Sequence, residues 1–288
     1  MSILILLLYI ERRMNLNIKL IALDMDGTLL DSDKEITPRT IEALRKAHES
    51  GAEIAICTGR VVQGIRRYLP DLPFVRYVIT SNGASIYDLQ EKKNIYEHLI
   101  PVEKALKVLN SYKTSGGLLE VYADNVSYMN MVDYADLPGR YGVSHRVNNY
   151  LREKNEPVES IVELIRSHYN GVEKFNLSHF PAVSYSRIWN KLNTIGGLQL
   201  TYSDTINIEV GVYGCSKGVA LTALAEHIGC SMDEVMCFGD SHNDREMLLA
   251  AGHPVVMGNA EEAIKTLTSN VIGTNDEEGI AVYLESIY

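Results

Sequence analysis

The stretch LIALDMDGTLLDSD, Leu20–Asp33, runs four apolar residues straight into two aspartates one position apart, followed by Gly-Thr. KLIAL (Lys19–Leu23) has the apolar continuity of a strand buried on both faces. Side chains alternate along a strand, so residues two apart point the same way, and Asp24 and Asp26 are expected side by side at its carboxyl end. In open α/β sheets that end opens onto the crevice where ligands bind. Two carboxylates converging there repel each other unless a cation or a shared proton relieves them. An isolated Asp-x-Asp is usually a solvated turn. Here a buried strand leads into it and a second apolar pair follows.

Outward from this stretch, apolar runs alternate with helical patterns. Thr37-Pro38 supplies an N-cap and a first-turn proline for a helix over TIEALRKAHES, and Gly51 sits where a helix ends. EIAICT (Glu53–Thr58) is a second strand, a helix through Arg67 is expected next, and YVIT (Tyr77–Thr80) is a third strand. After about Ala84 the chain becomes richer in tyrosine. Its strands LLEVYA, VSYMNM, VEKFNLS and LQLTYS look amphipathic, with helices at Val102–Lys113, Val158–Tyr169 and about Ser186–Thr194 between them. That pattern suits an antiparallel sheet covered by helices on one face. The parallel pattern returns with a helix KGVALTALAEHIG, a strand VMCF (Val235–Phe238), a helix near Asp244–Ala250 and a strand PVVM (Pro254–Met257). The expected fold is α/β: a Rossmann-like parallel-sheet core from residues 14–84 and 206–288, with an α+β cap, 85–205, inserted between them.

Three more loops fall at expected strand ends. CTGR (Cys57–Arg60) puts a hydroxyl and backbone N–H groups where a helix starts, which suits an anion, although alone it is a common turn. SNGA (Ser81–Ala84) is an ordinary turn dipeptide by itself. GDSHND (Gly239–Asp244) brings two further carboxylates and an amide to a strand end, and hard oxygen ligands of this kind suit Mg²⁺. Lys217 opens a helix, where a cation opposes the helix dipole. A surface lysine is the default reading of such a residue, and only the neighbouring motifs argue for another.

The chain has 288 residues and a formal net charge of −10 with no Lys/Arg stripe, which argues against nucleic acid or an anionic membrane as partner. Its four cysteines, Cys57, Cys215, Cys230 and Cys237, lack metal or disulfide spacing, as expected of a reduced cytoplasmic protein. The apolar segment Ile3–Ile10 is too short to span a membrane, and its charges follow it rather than precede it. Residues 1–13 are read as an N-terminal extension ahead of Met14.

DMDGTLL, TGR, SNGA, KG opening a helix, GDSHNDREML and a downstream MGNA, in that order, resemble the haloacid dehalogenase-like superfamily, and within it the Cof-type, sugar-phosphatase-like branch. The resemblance runs from about Ile18 to the C-terminus. It implies a Mg²⁺-dependent phosphatase of small phosphorylated metabolites, with Asp24 as nucleophile and Asp26 as general acid/base. It implies a metal held by the Asp24 carboxylate, the Asp26 carbonyl and the Asp240 side chain, with Ser241 and Asp244 around it. Thr58, Gly59, Lys217, Asn243 and the Met25 amide would bind the phosphoryl group, and Arg60, Asn82 and Gly83 would line the entrance. A phosphotransferase or mutase would use the same nucleophile, whereas a non-catalytic binding protein should have lost one of these groups. The chain departs from the branch in its leader, in His253-Pro254, and in a cap without a recognisable specificity string. Tyr122, Tyr128, Tyr134 and Tyr141 are cap candidates for ring contact or for simple strand packing. Hinges are expected near Ala84 and Ser203–Thr205.

Overall fold

Two sheets organise the computed structural model, which describes residues 17–113, 115–202 and 207–288. In the larger, β1 (Leu20–Leu23), β2 (Glu53–Cys57) and β3 (Val75–Thr80) run parallel. The chain then turns back antiparallel through β4 (Ser85–Asp88) and β5 (Lys93–Glu97). The smaller sheet follows: β6 (Leu118–Ala123), β7 (Val126–Asn130), β8 (Asn155–Val158), β9 (Lys174–Ser178), β10 (Leu198–Thr201) and β11 (Ile208–Val212). The last two strands, β12 (Val235–Gly239) and β13 (His253–Val256), return to the larger sheet, whose order is β13-β12-β1-β2-β3-β4-β5. β1 therefore pairs in parallel with both β2 and β12, with Leu23 opposite Ile56 on one side and Phe238 on the other.

Alternation along these strands feeds two cores. Ile21, Leu23, Ile54, Ile56, Val78 and Phe238 face one side, where they meet α1 (Pro38–Glu49) and the C-terminal helix Gly279–Glu285. Leu20, Ala22, Ala55, Ile79 and Cys237 face the other, beneath the helix Lys217–Ile228 and its neighbour Arg245–Ala250. Covering both faces makes continuous apolar strands stable. α1 begins as its sequence requires: Pro38 opens it, and the Thr37 hydroxyl accepts the Thr40 N–H at 3.2 Å.

The structure departs from expectation at five places. The helix expected through Arg67 is replaced by two short 3₁₀ turns, Val62–Ile65 and Leu69–Asp71, because Gly64 and Pro70 interrupt an α-helix. At the first boundary, β4 and β5 extend the core sheet rather than opening the inserted unit. At the second, β11 pairs with β9 and β10, so the smaller sheet reaches Val212 rather than stopping at 205. Helices at Met131–Ala135, Leu137–Tyr141 and His145–Lys154, unforeseen, form a crossover that sets β7 and β8 parallel in a sheet expected to be antiparallel. Finally, the helix expected at Val158–Tyr169 is confined to Ile161–Ser167, because Pro157 and Val158 belong to β8. The cap helices Val102–Tyr112, Ile161–Ser167 and Tyr185–Asn193 do pack on one face of the smaller sheet, over Val121, Phe175, Leu177 and Val210. The extension 1–13 and the hinge at Ser203–Thr205 lie outside the described residues. Among the described residues no helix is long and apolar enough to cross a membrane, and all four cysteines are buried free thiols.

Candidate active site

β1 and β12 end side by side, and their ends carry the acids. Asp24 follows β1 at once, its N–H donating to the Phe238 carbonyl at 3.0 Å; Asp240 follows β12. One ligand oxygen each from Asp24, Asp240 and Asp244 lie within 4.8 Å of one another, 216 residues or more separating the first from the others in sequence. Lys217 enters this cluster fully buried, its Nζ donating to Asp24 Oδ1 at 2.5 Å and to Asp244 Oδ1 at 2.6 Å. The lysine at a helix start thus answers two carboxylates rather than the dipole. Its helix is capped independently, the Ser216 hydroxyl accepting the Val219 N–H.

The electrostatics follow from burial and crowding. Burial, then the Asp244 charge, push the Asp24 carboxyl well above the ordinary range despite Lys217. Burial and Asp244 likewise raise Asp240 to about 6. Burial pulls the Lys217 ammonium down, but Asp24 and Asp244 outweigh it and keep the group charged. Three acids around one ammonium leave a net negative pocket, a donor set of hard oxygens that fits a small divalent cation.

Asp244 also holds its own loop, Oδ2 accepting the backbone N–H groups of Asp240 and Ser241, both at 3.0 Å. Thr28 fixes Asp240 by donating its hydroxyl at 2.8 Å, and Gly27, at φ +88°, leaves room for it: a Cβ there would lie 2.5 Å from Asp240 Oδ2. Asn259 closes the arrangement by donating to the Gly27 carbonyl at 2.7 Å. DGT and MGNA were visible as motifs, but Thr28, Gly27 and Asn259 had no role read for them. Their part depends on where β12 delivers Asp240, which spacing does not state.

Asp26 is not where strand alternation placed it. The strand ends at Leu23 and the chain turns at Met25, so the two aspartates diverge, and Asp244 instead of Asp26 is the third acid of the cluster. The Asp26 carboxylate accepts two hydrogen bonds from Arg60, at 2.7 and 2.8 Å, and one from Lys34 at 3.0 Å. Burial pushes its pKa up, but the Arg60 guanidinium and Lys34 outweigh that and hold it below the ordinary value. Arg60 is therefore an anchor for Asp26 here, where an entrance residue was expected. Met25 buries its side chain completely in the core beneath the site.

The remaining loops gather around the same point. Thr58, buried at the end of β2, accepts the Arg60 N–H on its hydroxyl at 3.1 Å. Asn82 sits in the left-handed region at φ +59°; its side chain accepts from Asn243 at 3.2 Å and donates to Glu209 of the smaller sheet at 2.6 Å. Asn243 in turn accepts the Ser241 hydroxyl at 2.6 Å. Gly83, at φ +99°, is buried where a Cβ would lie 2.1 Å from the Ser216 carbonyl, so it seats the start of the Lys217 helix and does not line an entrance. Gly59 meets the smaller sheet: Lys174 Nζ donates to its carbonyl at 2.8 Å. Lys174 and Glu209 were not anticipated. Nothing in VEKFNLS or INIEV distinguishes a buried charge from a solvated one.

Comparison with known proteins places this geometry. The chain is 33% identical over 275 residues to the pyridoxal phosphate phosphatase YbhA of Escherichia coli, covering 93% of this chain and 98% of that one. It is 30% identical over 274 residues to the 5-amino-6-(5-phospho-D-ribitylamino)uracil phosphatase YcsE of Bacillus subtilis, covering 94% and 96%. The crystal structure of a haloacid dehalogenase-like hydrolase from Bacteroides thetaiotaomicron superposes with a TM-score of 0.81 at 27% identity, over 94% of this chain and all of that one. The sequence model of the haloacid dehalogenase-like hydrolases matches residues 21–284, from the strand before Asp24 to the last helix. The chain is a hydrolase of the haloacid dehalogenase-like family, in its Cof-type branch.

Proposed function

We propose that this enzyme hydrolyses small phosphorylated metabolites through a phosphoenzyme formed on Asp24. The observation that carries the reading is the buried cluster of Asp24, Asp240, Asp244 and Lys217, bordered by Thr58 and Gly59. An Asp24 oxygen attacks phosphorus, an acyl-phosphate P–O bond forms, and the ester P–O bond breaks. The leaving oxygen takes a proton and departs as an alcohol. Water then attacks the same phosphorus, a proton leaves the water, phosphate is released and the Asp24 carboxylate is regenerated. Splitting one difficult displacement into two is the purpose of such a nucleophile.

Lys217 offers a fixed positive charge to a phosphoryl oxygen and holds Asp24 in line. Asp24 and Asp240, with the Asp26 carbonyl, would hold Mg²⁺, and their raised proton affinities support this, since a divalent cation relieves the same crowding. When bound, the ion supplies neutralisation of the phosphoryl charge. On this reading Asp26 is the proton donor and acceptor. Its carboxylate, ionised against Arg60, suits the second step, where a base takes a proton from water. To protonate a leaving oxygen it must first take up a proton, which requires moving off the guanidinium that holds it ionised.

The named substrates of the relatives, pyridoxal phosphate and a phosphorylated ribitylamino-uracil, support cofactors and their precursors as the substrate range. Phosphate release without an added acceptor, from a panel including pyridoxal 5′-phosphate and ribose 5-phosphate, is expected with MgCl₂ and not after chelation. Asp24→Asn should lower turnover by about 10³-fold or more while the protein stays folded. Full activity in Asp24→Asn would overturn the assignment.

A further inference from the structure

The smaller sheet has a polar face that is nevertheless buried. On β6, β9 and β11, Val121, Phe175 and Val210 point to the helices, while Glu120, Tyr122, Lys174, Asn176 and Glu209 point the other way. All but Asn176 are less than a tenth exposed. Glu120 is satisfied without reaching the core, by Lys154 at the end of the helix His145–Lys154 at 2.8 Å, and by Asn155 at 2.9 Å and Asn176 at 2.6 Å in the sheet. Lys174 and Glu209 differ. They lie 3.3 Å apart and reach across to the core, Lys174 to the Gly59 carbonyl and Glu209 to the Asn82 amide. The Lys174 ammonium also stands 4.7 Å from the centre of the Tyr122 ring.

Replacing a buried ion pair with apolar side chains is often neutral or stabilising, so stability alone gives no reason for these charges. Their position does. Gly59 and Asn82 belong to the loops beside Asp24, so the ester oxygen and whatever it carries leave towards this face. We propose that Lys174 and Glu209 are the specificity-determining pair of the enzyme: they exchange their core partners for the leaving group, and select one that presents an acceptor beside a donor. Ring hydroxyls and ring heteroatoms both supply that chemistry. The inference rests on the phosphatase reading and deepens it.

The test uses the full-length protein with Mg²⁺ and three esters: ribose 5-phosphate for hydroxyls, pyridoxal 5′-phosphate for a substituted heteroaromatic ring, and phenyl phosphate, which has neither. The wild type should prefer at least one polar ester. Lys174→Met and Glu209→Gln should each lower kcat/KM on that ester by about tenfold or more, mainly through KM, and change phenyl phosphate by less than about threefold. The ratio is read within one preparation, so partial misfolding cancels; if Lys174→Met does not fold, the isosteric Glu209→Gln carries the test. An equal loss on all three esters, or an unchanged ratio, overturns the proposal and assigns the pair to holding the cap. A wild type that prefers phenyl phosphate overturns it while leaving the phosphatase reading intact. A wild type that cleaves none of the three overturns both.

Discussion

Lys217 shows how much one side chain can settle. Among the described residues it is the single ammonium shared by Asp24 and Asp244, and all three are at least nine-tenths buried. Removing one partner of a buried ionic group leaves the others uncompensated, at a cost of about 3–5 kcal/mol. Lys217→Met should therefore lower unfolding free energy in urea by roughly 3 kcal/mol as well as abolish turnover. Asp240→Asn relieves repulsion rather than creating it, so the metal-free variant should unfold no earlier than the metal-free wild type while losing activity. Differential scanning calorimetry of both after chelation separates them. At this scale the site was partly legible: Asp24, Asp240 and Asp244 stood out as carboxylates in the loops that end apolar strands, whereas Lys217 by itself read as a surface lysine and only the neighbouring motifs argued otherwise. The orientation of Asp26 was not, because strand alternation holds only while the strand lasts, and β1 stops at Leu23.

Among the elements, the β4–β5 hairpin is the one the sequence disguised. Its turn, from Asp88 to Lys93, contains no glycine, and Lys92 takes the left-handed position at φ +54°. Asp88 does the work a turn motif would have done: one carboxylate oxygen accepts the N–H groups of Gln90 and Glu91, and the other accepts Arg76. Burial raises the Asp88 pKa, but these donors outweigh it and hold it below the ordinary value. A carboxyl lowered by folding adds stability above its unfolded pKa and loses it as pH falls through the folded one. Asp88→Asn is thus expected to destabilise the protein by about 1–3 kcal/mol at pH 7. The difference should shrink as pH falls through the folded pKa of Asp88, which lies below the ordinary carboxylate value; urea melts across pH check both. The strands of the parallel core were legible because burial on two faces leaves an apolar run that few other environments favour. The helices between Met131 and Lys154 were not, since their sequence is mostly polar and their start signals, Asn130, Asp136 and Ser144, read equally well as loop residues.

For the whole molecule, polar contacts between the two sheets and their loops include those of Gly59, Ser81 and Asn82 with Lys174, Glu173 and Glu209, and those of Gln63 and Asn94 with Glu156 and Asn125. A divalent ion bound beneath them would favour the folded state by mass action, by about 2.7 kcal/mol at a hundredfold excess over its dissociation constant. At neutral pH, 5 mM MgCl₂ should accordingly raise Tm by roughly 5 °C or more over the chelated protein. Asp240→Asn should remove most of that rise. An equal rise in the variant would place the bound ion elsewhere.

β1 is sandwiched between β2 and β12, so this interior strand acquires its second neighbour only after some 210 further residues have been made. On the ribosome, the nascent chain therefore carries an apolar strand with one open edge through most of its synthesis, the kind of edge that invites pairing with other chains. Asp24 meets Lys217, Asp240 and Asp244 only once residues 217–244 have been made. Premature termination before Val235 should consequently yield insoluble material rather than a less active enzyme.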